Sequence, residues 1–276
     1  MSRRRAGAVT PIGAVIVAAV AAAGWWLSGT HPTGTLAAPD TDAASVEATS
    51  VWPAADRNQS PIAASTTASV DELIAGLTVF DELPDVAGYD RGCGTDKKTG
   101  AREGCVFGPA WTDDYDGPSS HDGCDTRNNL LAIQLRDVVF KPGTRDCKVT
   151  SGTLDDPYTG RVISFTSGRD TSSAVQADHV FALSRAWDAG AASWTLDRRT
   201  AFANDTSLNL LAVDGPTNNS KSDSGLDGWL PPNLAFGCDY AIRYLTVASV
   251  YDLAVTAGDV ATAHAVCGSP AGGVSR

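Results

Sequence analysis

The chain has 276 residues and a formal net charge of −11, with 21 Lys and Arg against 32 Asp and Glu. Residues 1–68 carry four charges of each sign, so the acidic excess falls on the remainder. That balance argues against broad, tight nucleic-acid binding, which draws its affinity from phosphate neutralisation. It still allows one site where a bound cation and a few Arg or Lys reverse the local field.

Arg3, Arg4 and Arg5 precede an apolar run from about Ile12 to Leu27 that contains Trp25 and Trp26. A basic start before an apolar stretch reads as a secretory signal or an uncleaved anchor. A spanning helix needs about 20 apolar residues and no fewer than about 17, so this run sits at the border. The paired Trp suit a membrane interface. Cleaved export is preferred over an anchor through residues 12–27, which would tether the chain to the outer face of the cytoplasmic membrane. Residues 28–68 are rich in Ala, Thr, Ser, Pro and Asp and read as a disordered linker. Residues 69–270 suit one domain, expected to be a monomer, and hold all seven Phe and all six Tyr.

Ser69 can cap a short helix carrying Leu73, Ile74 and Leu77. Residues 81–123 are rich in Gly, Asp and Pro and read as loops. Leu130, Leu131, Ile133, Leu135 and Val138 give a helix over 126–138, capped by Asp125 or Thr126. Asp155 to Gly160 is a turn, followed by strands over 161–165 and 174–180. Helices follow over 181–187, ending near Gly190, and over 196–204, then a strand over 208–213. Pro216 can open a helix that places Asn218 and Lys221 on one face. Trp229 to Pro232 breaks the pattern, and two helices over about 237–255 and 257–266 close the chain.

Six Cys stand at 93, 105, 124, 147, 238 and 267. An even count behind an export signal points to disulfides. Many pairings are open to six cysteines; neighbour pairing is the expectation. The absence of any Cys-x-x-Cys pair counts against zinc.

The four His are at 31, 121, 179 and 264, and only His179 follows an Asp at the end of an apolar-rich strand. An Asp-His pair alone is weak, because a buried His satisfied by backbone is the commoner outcome. Asn209, Asn218 and Lys221 strengthen it. Asp178 and an Asn offer hard oxygens to a divalent cation, His179 can take a proton from water, and Lys221 can meet a phosphate. Trp187, Trp194 and Trp229 read as core.

This set resembles the HNH nuclease motif, with Asn in the third ligand place. Longer blocks resemble the secreted HNH endonuclease family common in actinobacteria, related to the C-terminal nuclease part of GmrSD-type restriction enzymes. They run from Cys124 to Asn128, Asp156 to Gly160, Asp178 to Leu183, Ala186-Trp187, Phe202 to Asp205, Asn209 to Val213, Asn218 to Asp223 and Trp229 to Pro232.

The resemblance implies an α+β fold, with a ββα-metal (HNH, His-Me finger) core in a mostly helical, disulfide-stapled domain. It implies that His179 is the general base and that Asp178 and Asn218 hold Mg²⁺ or Mn²⁺, with Asn219 the ligand if the register shifts by one. Asn209 would hold the hairpin that carries His179. Lys221 would contact phosphate or steady the Asn218 turn. Arg127 is the preferred phosphate contact, against an ion pair with Asp125 or another carboxylate, and Arg91 is a weaker candidate. The substrate would be DNA, with RNA admissible, cut with little sequence preference because no sequence-reading module is present. The rivals are a restriction component that cuts modified DNA and a non-catalytic envelope-binding protein on the same fold.

Overall fold

A computed structural model describes residues 70–268. The apolar run 12–27, the linker 28–68 and Ser69 lie outside the described residues, all of which fall within one compact unit. Among the described residues, no helix is long and apolar enough to cross a membrane.

The chain opens with helix α1 (Val70–Ala75) and strand β1 (Val79–Phe80), then runs through loops to helix α2 (Thr126–Gln134). Asp125 caps α2 by accepting the Asn128 N–H. Three strands follow, β2 (Arg136–Phe140), β3 (Val149–Asp155) and β4 (Val162–Thr166), in one antiparallel sheet of order β2-β3-β4. The expectation of a helix continuing to residue 138 is therefore corrected. Leu135 is already extended, and Val138, Val139 and Phe140 are β-branched or aromatic residues that suit a strand paired with β3. The described part is mixed α and β, and the expectation of a mostly helical domain is corrected with it.

Strands β5 (Val175–His179) and β6 (Leu210–Asp214) pair antiparallel, with Val175 opposite Asp214 and His179 opposite Leu210. Helices α3 (Leu183–Asp188) and α4 (Leu196–Asn204) lie between them in sequence, and helix α5 (Gly215–Lys221) follows β6 directly. The order strand, strand, helix is thus present. Helix α6 (Gly237–Tyr251), strand β7 (Val255–Thr256) and helix α7 (Ala257–Cys267) end the fold, and β7 pairs parallel with β1.

Every residue of β6 is buried, because two apolar cores meet on it. Leu211 and Val213 face a core built from α3, α4, α6 and the following segment, whereas Leu210 and Ala212 face a second core of α2 and the three-stranded sheet. The alternation has the period of two that a strand imposes. Cores on both faces fix the β5–β6 pair, and His179 with it.

Cys93–Cys105, Cys124–Cys147 and Cys238–Cys267 are bonded, which is the neighbour pairing. A buried polar node ties the C-terminal helices to α3. There Asp259 accepts from Arg185 Nη2 at 2.6 Å, from Leu226 N at 2.7 Å and from Thr256 N at 3.0 Å.

Candidate active site

β5 ends on Asp178 and His179, and the turn after it is pinned by Asn209. The Phe181 N–H donates to Asn209 Oδ1 at 2.9 Å, and the Val180 N–H donates to the Asn209 carbonyl at 2.8 Å. Asn209 is fully buried and does not reach the cavity described below. Asn209→Ala strands the Phe181 N–H in the core. The expected loss is about 1–3 kcal/mol of stability, read by thermal unfolding; an unchanged midpoint would contradict this placement.

His179 Nε2 lies 2.8 Å from the Ala203 carbonyl. A carbonyl only accepts, so Nε2 carries the proton and the lone pair sits on Nδ1. Burial, reinforced by the nearby Arg91 cation, lowers His179 to about 3, leaving it neutral at ordinary pH. The Trp111 ring lies nearly parallel to the imidazole, 6.1 Å between centroids and 11° between planes.

Both oxygens of Asp178 accept a hydrogen bond. Lys221 Nζ donates to Oδ1 at 2.9 Å and the Tyr158 hydroxyl donates to Oδ2. Burial pushes the Asp178 carboxyl upward, against the opposing pull of Lys221. Lys221 is fully buried and also donates to the His179 carbonyl at 2.8 Å. It thus lies behind the carboxylate, out of reach of a phosphate, where it supports the Asp178-His179 corner. Gly215 lets the start of α5 approach the turn at Ser172–Ala174 that leads into β5, since a Cβ there would collide with the Ser173 carbonyl oxygen.

A cavity of about 550 Å³ opens on this corner. Asp178, His179, Asn218, Asn219 and Arg127 all line it, together with Tyr89, Arg91, Trp111 and Gln176. Asn218 donates through Nδ2 to Gln176 Oε1 at 3.0 Å, which leaves its own carbonyl oxygen as an acceptor. Arg127 is tied to backbone, its Nη2 donating to the Val175 carbonyl at 2.9 Å and the Ser172 carbonyl at 3.3 Å. It makes no ion pair with Asp125, whose carboxylate caps α2 and bonds the Asn128 amide.

Among the described residues, no group of three or more His, Cys, Asp or Glu could hold a metal. The oxygen donors that line the cavity include the Asp178 and Asp223 carboxylates and the amide oxygens of Asn218, Asn219 and Gln176, of which Asp178 and Asn218 are the pair expected to hold a cation. That set fits a hard cation that keeps several waters, and it does not fit zinc, which favours nitrogen and sulfur. Each Asp178 oxygen retains a lone pair beyond its present bond. A cation there would also relieve the burial that opposes the carboxylate charge.

Trp111 and Tyr158 were not singled out from the sequence. A lone Trp in a polar, Gly- and Asp-rich loop was a usable signal for Trp111. For Tyr158 the Asp-Pro-Tyr-Thr-Gly block read as a turn, and nothing in it announced a tyrosine reaching Asp178.

Residues 125–258 match the family model for GmrSD restriction endonucleases, C-terminal domain, which supports a nuclease-type domain and bears out the resemblance to the C-terminal part of GmrSD-type restriction enzymes. An uncharacterized secreted protein of Arthroderma benhamiae is 40% identical over 137 residues, 49% of this chain and 63% of that protein. The chain thus matches less than two thirds of that relative's length. No solved structure matches.

Proposed function

We propose that the protein is a metal-dependent endonuclease of the ββα-metal (HNH) type that hydrolyses phosphodiester bonds of DNA, and of RNA where the strand fits, with little sequence preference. The observation that carries the reading is the convergence of Asp178, neutral His179 and Asn218 on one cavity at the end of a strand-strand-helix unit.

His179 takes a proton at Nδ1 from the attacking water, while its Nε2–H stays on the Ala203 carbonyl and fixes the ring. The water oxygen bonds to phosphorus, the bond to the leaving sugar oxygen breaks, and solvent returns a proton to that oxygen. A positioned base of this kind contributes about 10²–10⁴-fold. Asp178 and Asn218 would hold Mg²⁺ or Mn²⁺, which when bound supplies Lewis-acid polarisation of the phosphate and charge neutralisation at the leaving oxygen. Lys221 and Tyr158 orient the Asp178 carboxylate from behind.

The chemistry operates outside the cell in this proposal. The basic-then-apolar leader, the three disulfides and the Arthroderma benhamiae relative described as secreted all support that location. Retention of residues 12–27 would place the same domain on the outer membrane face, and a monomer suffices for every role assigned.

The test is incubation of the oxidised full chain with DNA and RNA of equal length, single- and double-stranded, in Mg²⁺. Internal cuts at many sequences support the reading, and intact substrates throughout would overturn it. Binding of Mn²⁺ should be lost in Asp178→Ala, weakened in Asn218→Ala and retained in His179→Ala, as read by calorimetry without substrate. Equal binding by all three would remove the metal assignment.

A further inference from the structure

A phosphodiester is an anion, and of the two residues first favoured for meeting it Lys221 has no free head group and Arg127 only part of one. Lys221 is buried on Asp178 and the His179 carbonyl. Arg127 has one amino group on two backbone carbonyls. Arg91 differs. It is exposed, it lines the cavity beside Asp178 and His179, and among the described residues its guanidinium makes no hydrogen bond or ion pair, while its charge acts on the Asp178 carboxyl. Its position is nevertheless fixed, because the backbone on either side is tied down. Asp90 accepts from Gly92 N at 3.1 Å and from Gly104 N at 2.7 Å. The Cys105 N–H donates to the Gly92 carbonyl at 2.7 Å, the Val106 N–H donates to the Asp90 carbonyl at 3.0 Å, and Cys93–Cys105 closes the loop. Phe107 anchors its far end in the main core. This loop precedes the segment that matches the nuclease family model.

We infer that Arg91 is the phosphate-binding cation of this site, held over His179 by the loop that Cys93–Cys105 closes. The inference rests on the phosphodiester reading of the same cavity. A guanidinium suits the task, since its planar fork pairs two phosphate oxygens at once. In a protein of net charge −11, one unpaired Arg at the cavity wall is where a polyanion gains its local attraction. The loop fixes the Arg91 backbone before substrate arrives, so less ordering is needed on binding.

The test is binding of a labelled short oligothymidylate to the oxidised full chain in the His179→Ala background with Mg²⁺, across a salt series. Adding Arg91→Ala should weaken binding about tenfold and flatten the slope of log K against log salt by about 0.7, the value for one single-strand phosphate contact. Arg91→Lys should restore the slope but only part of the affinity. Cys93→Ser with Cys105→Ser, folded as judged by circular dichroism, should lose affinity as Arg91→Ala does. An unchanged affinity and slope in Arg91→Ala, or no binding by the parent, overturns the assignment, and full binding by the double Ser variant overturns the role of the loop. Cleavage by the protein with His179 intact reads the nuclease proposal separately. Cutting with no Arg91 effect removes only the clamp, whereas an Arg91 effect without cutting leaves the phosphate site and removes the nuclease.

Discussion

His179→Ala is expected to slow phosphodiester cleavage by about 10²–10⁴-fold, the range a positioned general base contributes. The imidazole is neutral, its Nε2–H is committed to the Ala203 carbonyl, and its Nδ1 lone pair is the acceptor left for water. The loss should fall on kcat, with KM little changed, because the ring acts on the attacking water while phosphate attraction resides elsewhere. Stability should also fall by about 1–3 kcal/mol, since the Ala203 carbonyl loses its donor in a buried setting. Assays therefore belong well below the unfolding midpoint. A variant that cuts within a few-fold of the parent rate would remove His179 from the chemistry.

The largest effect on stability is expected at Asp259, which is fully buried at the start of α7. Beyond the bonds from Arg185, Leu226 and Thr256, it receives the Tyr244 hydroxyl at 3.3 Å and completes a capping box with Thr256. Asp259→Ala leaves the part-buried Arg185 with only the longer 3.9 Å contact to Asp227 and the Tyr244 hydroxyl, and several N–H groups without an acceptor. Removing one partner of such a pair costs about 3–5 kcal/mol. For a domain of this size that lowers the midpoint by roughly 6–20 °C. Burial alone would raise the Asp259 carboxyl, but Arg185 and the backbone donors outweigh it and hold it below the ordinary range. A folded pKa below the unfolded one gives stability that is present above the unfolded value near 3.9 and lost as pH falls through the folded value. The parent should therefore destabilise more steeply than the variant below about pH 4. A midpoint shift equivalent to under about 1 kcal/mol would contradict the buried-pair account.

Much of the framework was legible because it is written in local pattern. Thr195 caps α4, Pro216 opens α5 and the short unbroken apolar run of β6 suits a strand buried on both faces, so these elements lie where the residues place them. The β2–β3 pairing was not legible, because Leu135 and Val138 continue a helical spacing while the partners of β2, Thr153, Ser151 and Val149, lie in a later stretch that Gly152 interrupts. Tertiary pairing overrides propensity there.

The site divides in the same way. Asp178 and His179 are adjacent at a strand end, and Asn218 and Lys221 are three apart on one helix, spacings that sequence can display. Burial of Lys221 could not be read from its spacing, since a Lys at a helix end is usually solvated. Tyr158, Trp111 and Arg91 come from separate loops, and only the folded chain brings them to the same corner.

The most direct test of the central claim is relaxation of supercoiled plasmid by the oxidised full chain in Mg²⁺, repeated in EDTA and with His179→Ala. The account predicts nicked and linear product in Mg²⁺, none in EDTA, and a His179→Ala rate lower by at least about 10²-fold. Cutting that persists in EDTA, or that His179→Ala leaves unchanged, would contradict it.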